Sequence, residues 1–166
     1  MNEISVSILN ADFYCLKKQL DILKNNGFTL LHIDVMDGSF VDNISFAFPV
    51  LESIKDKGFT FDIHLMIDNP EKHIKRFAEY ADILTIHYEA IKNNYKILDN
   101  IRKLNIKPGI SINPDTDHTV LIPLMGKFDL ALIMSVFPGY GGQKFIPEVL
   151  HKAQLLHGFV EQYGFK

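Results

Sequence analysis

The sequence predicts an α/β protein whose parallel strands form part of a (β/α)8 barrel, and three observations carry that prediction. Six short β-branched apolar runs alternate with six amphipathic stretches, which is the pattern of consecutive βα units and therefore of a parallel sheet. Polar residues collect at the C-terminal ends of nearly every run: Asn10 and Asp12, Asp34 and Asp37, His64, His87 and Glu89, Asn113 and Asp115, Ser135. A barrel assembles its site from many strand ends, whereas an open doubly wound sheet concentrates it at one switch point. The third observation is length. A barrel of this kind usually needs roughly 250 residues, so six units in 166 residues lead us to expect a single incomplete domain over 1–166, with units seven and eight absent.

The elements follow in order. Strands are expected at Ile4 to Leu9, Leu30 to Val35, Phe61 to Met66, Ile83 to Ile86, Lys107 to Ile112 and Leu130 to Met134. Helices are expected at Phe13 to Asn25, Pro49 to Lys57, Pro70 to Tyr80, Asn93 to Leu104, Asp117 to Met125 and Pro147 to Tyr163. Pro49, Pro70 and Pro147 suit first-turn positions, where a missing N–H costs nothing, and Asn69 is placed to cap the third helix. Gly27 and Gly58 sit just past helix ends.

Composition narrows the function classes. The chain is 47% hydrophobic and 22% charged, ordinary for a globular protein with a real core. Its net charge of −3 comes with no basic patch, which argues against nucleic acid as partner. A small anion held by backbone N–H groups would leave no mark on that count. No apolar run approaches the roughly 18 residues of a membrane span, and the acidic start Met1-Asn2-Glu3 does not read as a signal peptide, so a cytoplasmic location without membrane partners is expected. Cys15 is the only cysteine and reads as a packed thiol.

Chemistry is concentrated on two strands. Alternate side chains of a strand share a face, so His32 points with Asp34, and His64 with Asp62 and Met66. Two imidazoles and one carboxylate suit zinc, iron(II), manganese or cobalt, and three protein ligands leave the shell open. Taken alone, each histidine also fits a hydrogen-bonded core position, the methionines fit core filler, and Gly139 to Gly142 fit an ordinary turn. His87 and Glu89 fit either supports behind the metal ligands or structural positions, the structural reading being preferred, and His73, His118, His151 and His157 read as solvated positions on helices.

Four segments in order resemble the ribulose-phosphate 3-epimerase family: Ser7-Ile8-Leu9-Asn10-Ala11-Asp12-Phe13, His32-Ile33-Asp34-Val35-Met36-Asp37-Gly38-Ser39-Phe40-Val41, Asp62-Ile63-His64-Leu65-Met66, and Met134 through Phe145, with Asn113-Pro114 before the last. The resemblance implies a TIM barrel of the ribulose-phosphate-binding type and metal-assisted interconversion of ribulose 5-phosphate and xylulose 5-phosphate in the pentose phosphate pathway. It implies one divalent metal on His32, Asp34 and His64, with Asp34 also an acid/base group at C3. Substrate contacts are implied for Ser7 and His64, for Met36, Met66 and Met134 around the reacting carbon, and for Gly139, Tyr140, Gly141 and Gly142 in the phosphate region. The implied partner is a small sugar phosphate, and family members often form homo-oligomers.

The sequence departs from the family pattern at Val6, Asp42, Ala47 and Phe137, none of them an implied metal ligand. The family's second acid/base carboxylate, also a metal ligand, lies in an Asp-Gly-Gly motif that this sequence lacks. Little epimerase activity and poor stability are therefore expected of the 166-residue chain alone. Two alternatives stay open at this level: a 3-epimerase for another ketose phosphate such as allulose 6-phosphate, and a non-catalytic fragment or pseudoenzyme.

Overall fold

The computed structural model describes residues 3–163 and shows six parallel strands in the spatial order of the chain. They are β1 (Val6–Ser7), β2 (Leu30–Met36), β3 (Thr60–Met66), β4 (Ile83–His87), β5 (Lys107–Ile112) and β6 (Leu130–Ile133). An order that never reverses is singly wound, as a barrel wall is, and excludes the doubly wound alternative. The sheet curls. The loop after β6 reaches the loops after β1 and β2, with Asn43 Nδ2 donating to the Gly139 carbonyl at 2.7 Å and the Tyr140 hydroxyl donating to the Asp42 carbonyl.

The period of two along each strand divides the side chains between two environments. Leu31, Ile33 and Val35 of β2, Phe61, Ile63 and Leu65 of β3, Leu84 and Ile86 of β4, and Ile110 and Ile112 of β5 face outward into one continuous buried core. That core is closed by α1 (Leu16–Asn25), α2 (Phe48–Ile54), α3 (Ile74–Phe77), α4 (Lys96–Lys103) and α5 (Val149–Tyr163). Each helix contributes its apolar stripe: Leu20 from α1, Leu51 and Ile54 from α2, Phe77 from α3, Ile97, Leu98 and Ile101 from α4, Leu156 from α5. Of the alternate residues, His32, Asp34 and Met36 of β2, Asp62, His64 and Met66 of β3, Thr85 and His87 of β4, and Ser111 of β5 face inward and carry the polar and sulfur-bearing groups. A smaller cluster of Met36, Val41 and Met66 caps that inner face.

Several expected elements are shortened. Strand β1 keeps two residues where Ile4 to Leu9 was expected. The helix expected at Pro70 to Tyr80 is a 3-10 turn (Pro70–Lys72) followed by the single turn of α3. Asn69 does not cap it: the residue is left-handed, at φ 54°, and its amide donates to the Asp68 carboxylate at 2.7 Å. The helix expected at Asp117 to Met125 is a 3-10 helix over His118–Leu124. Pro123 lies inside it and cannot supply the N–H an α-helical ladder requires. Pro147 precedes α5 by two residues, outside its first turn. His118 is partly buried, its side chain 13% exposed, and is not the solvated residue expected.

Gly109 on β5 lies opposite Thr85 on β4. A Cβ there would stand 2.2 Å from Thr85 Oγ1 and 3.1 Å from its Cα, so the two strands pack in register only because Gly109 has no side chain. Gly109→Ala should cost about 1–3 kcal/mol, the usual scale of overpacking. Because Thr85 Oγ1 is buried without a partner among the described residues, the cost should be smaller on a Thr85→Ala background. Urea unfolding of the two single variants and the double variant measures this coupling, and strictly additive losses would contradict the packing account.

Candidate active site

The pairing of β2 with β3 builds the site. His32 lies opposite Asp62, Asp34 opposite His64 and Met36 opposite Met66, so inward-facing groups from the two strands meet in three layers. At the middle layer His64 Nδ1 is 3.2 Å from Asp34 Oδ1, and His32 Nε2 reaches the same oxygen from the adjacent layer at 3.3 Å. The other oxygen, Oδ2, accepts a hydrogen bond from the Ser7 hydroxyl at 2.9 Å. One ligand atom from each of His32, Asp34 and His64 lies within 4.8 Å of the others, a cluster that could hold a metal ion.

Two further carboxylates anchor this trio. Asp62 Oδ2 lies 2.7 Å from His32 Nδ1 and accepts a hydrogen bond from the Ser5 hydroxyl at 3.0 Å. On the other side, His64 Nε2 is 2.9 Å from His87 Nε2, and His87 Nδ1 is 3.2 Å from Glu89 Oε2. Glu89 Oε1 accepts from the Asn113 N–H at 2.8 Å and from the Thr116 hydroxyl. The result is a continuous row: Asp62, His32, Asp34, His64, His87, Glu89.

Counting hydrogens along the row tests whether a cation fits. Its five contacts each need a hydrogen, and three neutral imidazoles supply three. With those on the outer contacts, His32 Nδ1–H serves Asp62, His64 Nε2–H serves His87, and His87 Nδ1–H serves Glu89. The two contacts left without hydrogen are both at Asp34, where two imidazole lone pairs converge on a carboxylate. That is the electron-rich arrangement a divalent cation requires, and its donor set suits one.

The ionisation behaviour agrees with the geometry. Burial acts to lower the His32 pKa, yet hydrogen bonds and charge from Asp34 and Asp62 raise it to about 10. A proton there stands where a cation would. Burial drives His64, only 1% exposed, down to about 4 and keeps it neutral. Burial opposes ionisation of Asp34, but hydrogen bonds from His32 and His64 outweigh it and hold the carboxyl well below its ordinary range. Glu89 is likewise opposed by burial and carried to about 2 by hydrogen bonds from His87, Asn113 and Thr116.

Above the trio lies a cavity of about 300 Å³, lined by Ser7, Asp34, Met36, Met66, Met134 and the loop Gly139, Tyr140, Gly141 and Gly142, among others. Nine of the implied site residues therefore meet around one space. His32 and His64 are the exceptions: neither lines the cavity, and both reach it only through Asp34. The loop is held by Gln143 Nε2, which donates to the Phe137 carbonyl at 2.7 Å and the Tyr140 carbonyl at 2.8 Å. Gly141 presses on Asn10, where a Cβ would come within 2.2 Å of the amide nitrogen.

Sequence reasoning missed four supports. Asp62 was placed on the face of His64 but not against His32, because that pairing depends on strand register. For His87 and Glu89 the structural reading was preferred over a supporting one, and Ser5 was not singled out. The recurrence of His and acid two residues apart at the end of β4, as in β2, was the available signal.

A parallel, singly wound sheet with a two-histidine, one-carboxylate cluster under a cavity at its C-terminal edge defines a protein of the metal-site (β/α) type. A sequence model described as the ribulose-phosphate 3 epimerase family matches residues 3–166. The chain belongs to that family. It is 37% identical to the ribulose-phosphate 3-epimerase of Bacillus subtilis, over 100% of this chain and 77% of that protein. It is 41% identical to the Synechocystis enzyme of that name, over 97% and 72%, and 33% identical to the Methanocaldococcus jannaschii one, over 99% and 70%.

Replacing Asp62 by Ala should weaken Co(II) or Zn(II) binding by about 10–100-fold, because His32 loses the acceptor that directs its Nε2 lone pair toward Asp34. Competition against a chromophoric chelator measures this, and unchanged affinity would remove Asp62 from the site.

Proposed function

We propose that this chain interconverts D-ribulose 5-phosphate and D-xylulose 5-phosphate by removing and returning the C3 proton, as a member of the ribulose-phosphate 3-epimerase family. In this reading the curled sheet is part of a (β/α)8 barrel of the ribulose-phosphate-binding type. The observation that carries the reading is Asp34: an ionised carboxylate at the floor of the cavity, bracketed by two imidazoles and a hydroxyl.

Asp34 takes the C3 proton, and Ser7, donating to Oδ2, holds the carboxylate in register with the cavity. A divalent ion on His32, Asp34 and His64, whether zinc, iron(II), manganese or cobalt, supplies charge stabilisation for the enediolate oxygens when bound. Met36, Met66 and Met134 surround the reacting carbon with polarisable apolar surface that excludes competing hydrogen bonds. The phosphate is assigned to the backbone of Gly139, Tyr140, Gly141 and Gly142, where the glycines let N–H groups approach closely.

Among the described residues that line this cavity and the adjoining one, Asp34 is the sole carboxylate. One carboxylate serves one face of the enediolate, while inversion needs a proton donor on the other. Incubation of the chain with ribulose 5-phosphate and Mn(II) in D₂O should therefore give deuterium at C3 of recovered ribulose 5-phosphate faster than xylulose 5-phosphate appears. Both signals should fall with chelator and drop by about 10²–10⁴-fold in Asp34→Asn, the scale of a lost acid/base group. No C3 exchange in the metal-loaded chain, or full exchange in Asp34→Asn, would overturn the assignment.

A further inference from the structure

The row of contacts running from His64 away from Asp34 has no part in the reaction described above, yet its members are among the most enclosed polar groups in the molecule. His64 is 1% exposed, and His87 and Ser111 are 0% exposed. The His64 and His87 rings stack at 4.8 Å with 25° between planes, and the Phe40 ring lies tilted against His87 at 4.7 Å. Burial, stacking and the Nε2–Nε2 contact hold the two rings against each other. The direction of the hydrogen between them is therefore a chemical question and not one of side-chain position.

Glu89 answers it. Its carboxylate faces three donors or potential donors: the Asn113 N–H, the Thr116 hydroxyl and His87 Nδ1. A backbone N–H can only donate, so Oε1 must accept, and an ionised carboxylate has no hydrogen to offer from Oε2 either. His87 Nδ1 must then carry the hydrogen. In a neutral ring its Nε2 is consequently a lone pair, and that lone pair points at His64 Nε2 from 2.9 Å. His64 Nε2 must in turn carry hydrogen, which leaves His64 Nδ1 bare and facing Asp34. Ser111 Oγ lies 3.3 Å from the same Nε2, but a hydroxyl donates or accepts as required and imposes no direction.

Resting on the metal-site reading given above, we infer that Glu89, acting through His87, is a positioning residue that sets the tautomer of His64 and so makes its Nδ1 a metal ligand. Asp62 does the same for His32 in one step; on the His64 side the carboxylate is one imidazole further away. The two arms start from β3 and from the end of β4, and both direct an imidazole lone pair to the same oxygen, Asp34 Oδ1.

This role makes Glu89→Gln a harsher change than Glu89→Ala, the reverse of what a packing role predicts. The amide keeps the shape of Glu89 but has one oxygen. With that oxygen on the Asn113 N–H, its NH₂ faces His87 Nδ1 and drives the hydrogen to His87 Nε2, then to His64 Nδ1, the atom needed for the metal. Alanine removes the group and leaves His87 free to keep either tautomer. His87→Gln places an amide oxygen within reach of His64 Nε2–H and should partly preserve the arrangement.

The test is Co(II) affinity at pH 7, by chelator competition, for the full chain and the three variants, with the Co(II) visible absorption band reporting ligand number and urea unfolding reporting the fold. Glu89→Gln should bind about 10–100-fold more weakly than the parent, with an altered absorption band, while Glu89→Ala and His87→Gln lose less. An affinity order in which Ala is worse than Gln, or Glu89→Gln binding as tightly as the parent, overturns the inference alone. A parent chain that binds no Co(II) overturns the metal-site reading and this inference with it. If Glu89→Gln fails to fold, His87→Gln binding more weakly than His87→Leu, which offers no acceptor, overturns the tautomer account on its own.

Discussion

The in-register parallel pairing of β2 with β3 is the constraint on which everything else depends. Seven successive residues of each strand face one another, and the alternation of side chains sends the odd set outward into hydrocarbon and the even set inward. A slip of one residue would exchange the two sets, placing Leu31, Ile33 and Val35 inside and His32 and Asp34 in the core. The hydrophobic core outside the sheet thus fixes the polar site inside it. The site is held by burial that takes place elsewhere.

Within that frame the inner face is a problem in electrostatics. Three carboxylates and three imidazoles in a poorly solvated interior would be costly if any were left unpaired. They are arranged so that each imidazole nitrogen meets a partner; the two contacts left without hydrogen fall at Asp34, and Asp62 Oδ1 is the one carboxylate oxygen of the row buried without a partner among the described residues. Burial, which by itself would neutralise Asp34 and Glu89, is overcome by hydrogen bonds, and the same burial keeps His64 neutral. One environment produces opposite outcomes for acids and for the enclosed base because the hydrogen bonds, unlike desolvation, are directional.

The rim of the sheet is organised differently. Asp37 accepts the backbone N–H groups of Ser39, Phe40 and Asp68 and ties the loop after β2 to the loop after β3. Ser45 bridges the Asp34 carbonyl and the Met36 N–H, folding the same loop back on its strand. These bonds present Asn43 to Gly139, so the loop following β6 is received by a surface that β2 has already shaped. Cavity walls separated by about a hundred residues are joined by bonds that each pair one side-chain donor with one backbone carbonyl.

The class of fold, the six units, the division of each strand into two faces and the identity of the trio could be read along the chain, because period-two alternation and the order of the motifs are local properties. Near neighbours on a strand, His32 with Asp34, were legible for the same reason. Where a local rule competed with tertiary context it failed: Asn69 did not cap, and the stretch around Pro123 formed a 3-10 helix. The partners of the trio were decided only by the tertiary structure. That Asp62 belongs to His32, that Glu89 reaches His64 through His87, and that Asn10 abuts Gly141 all depend on register and curvature. Those are set by how outward-facing side chains pack against the helices, which no spacing along the chain records.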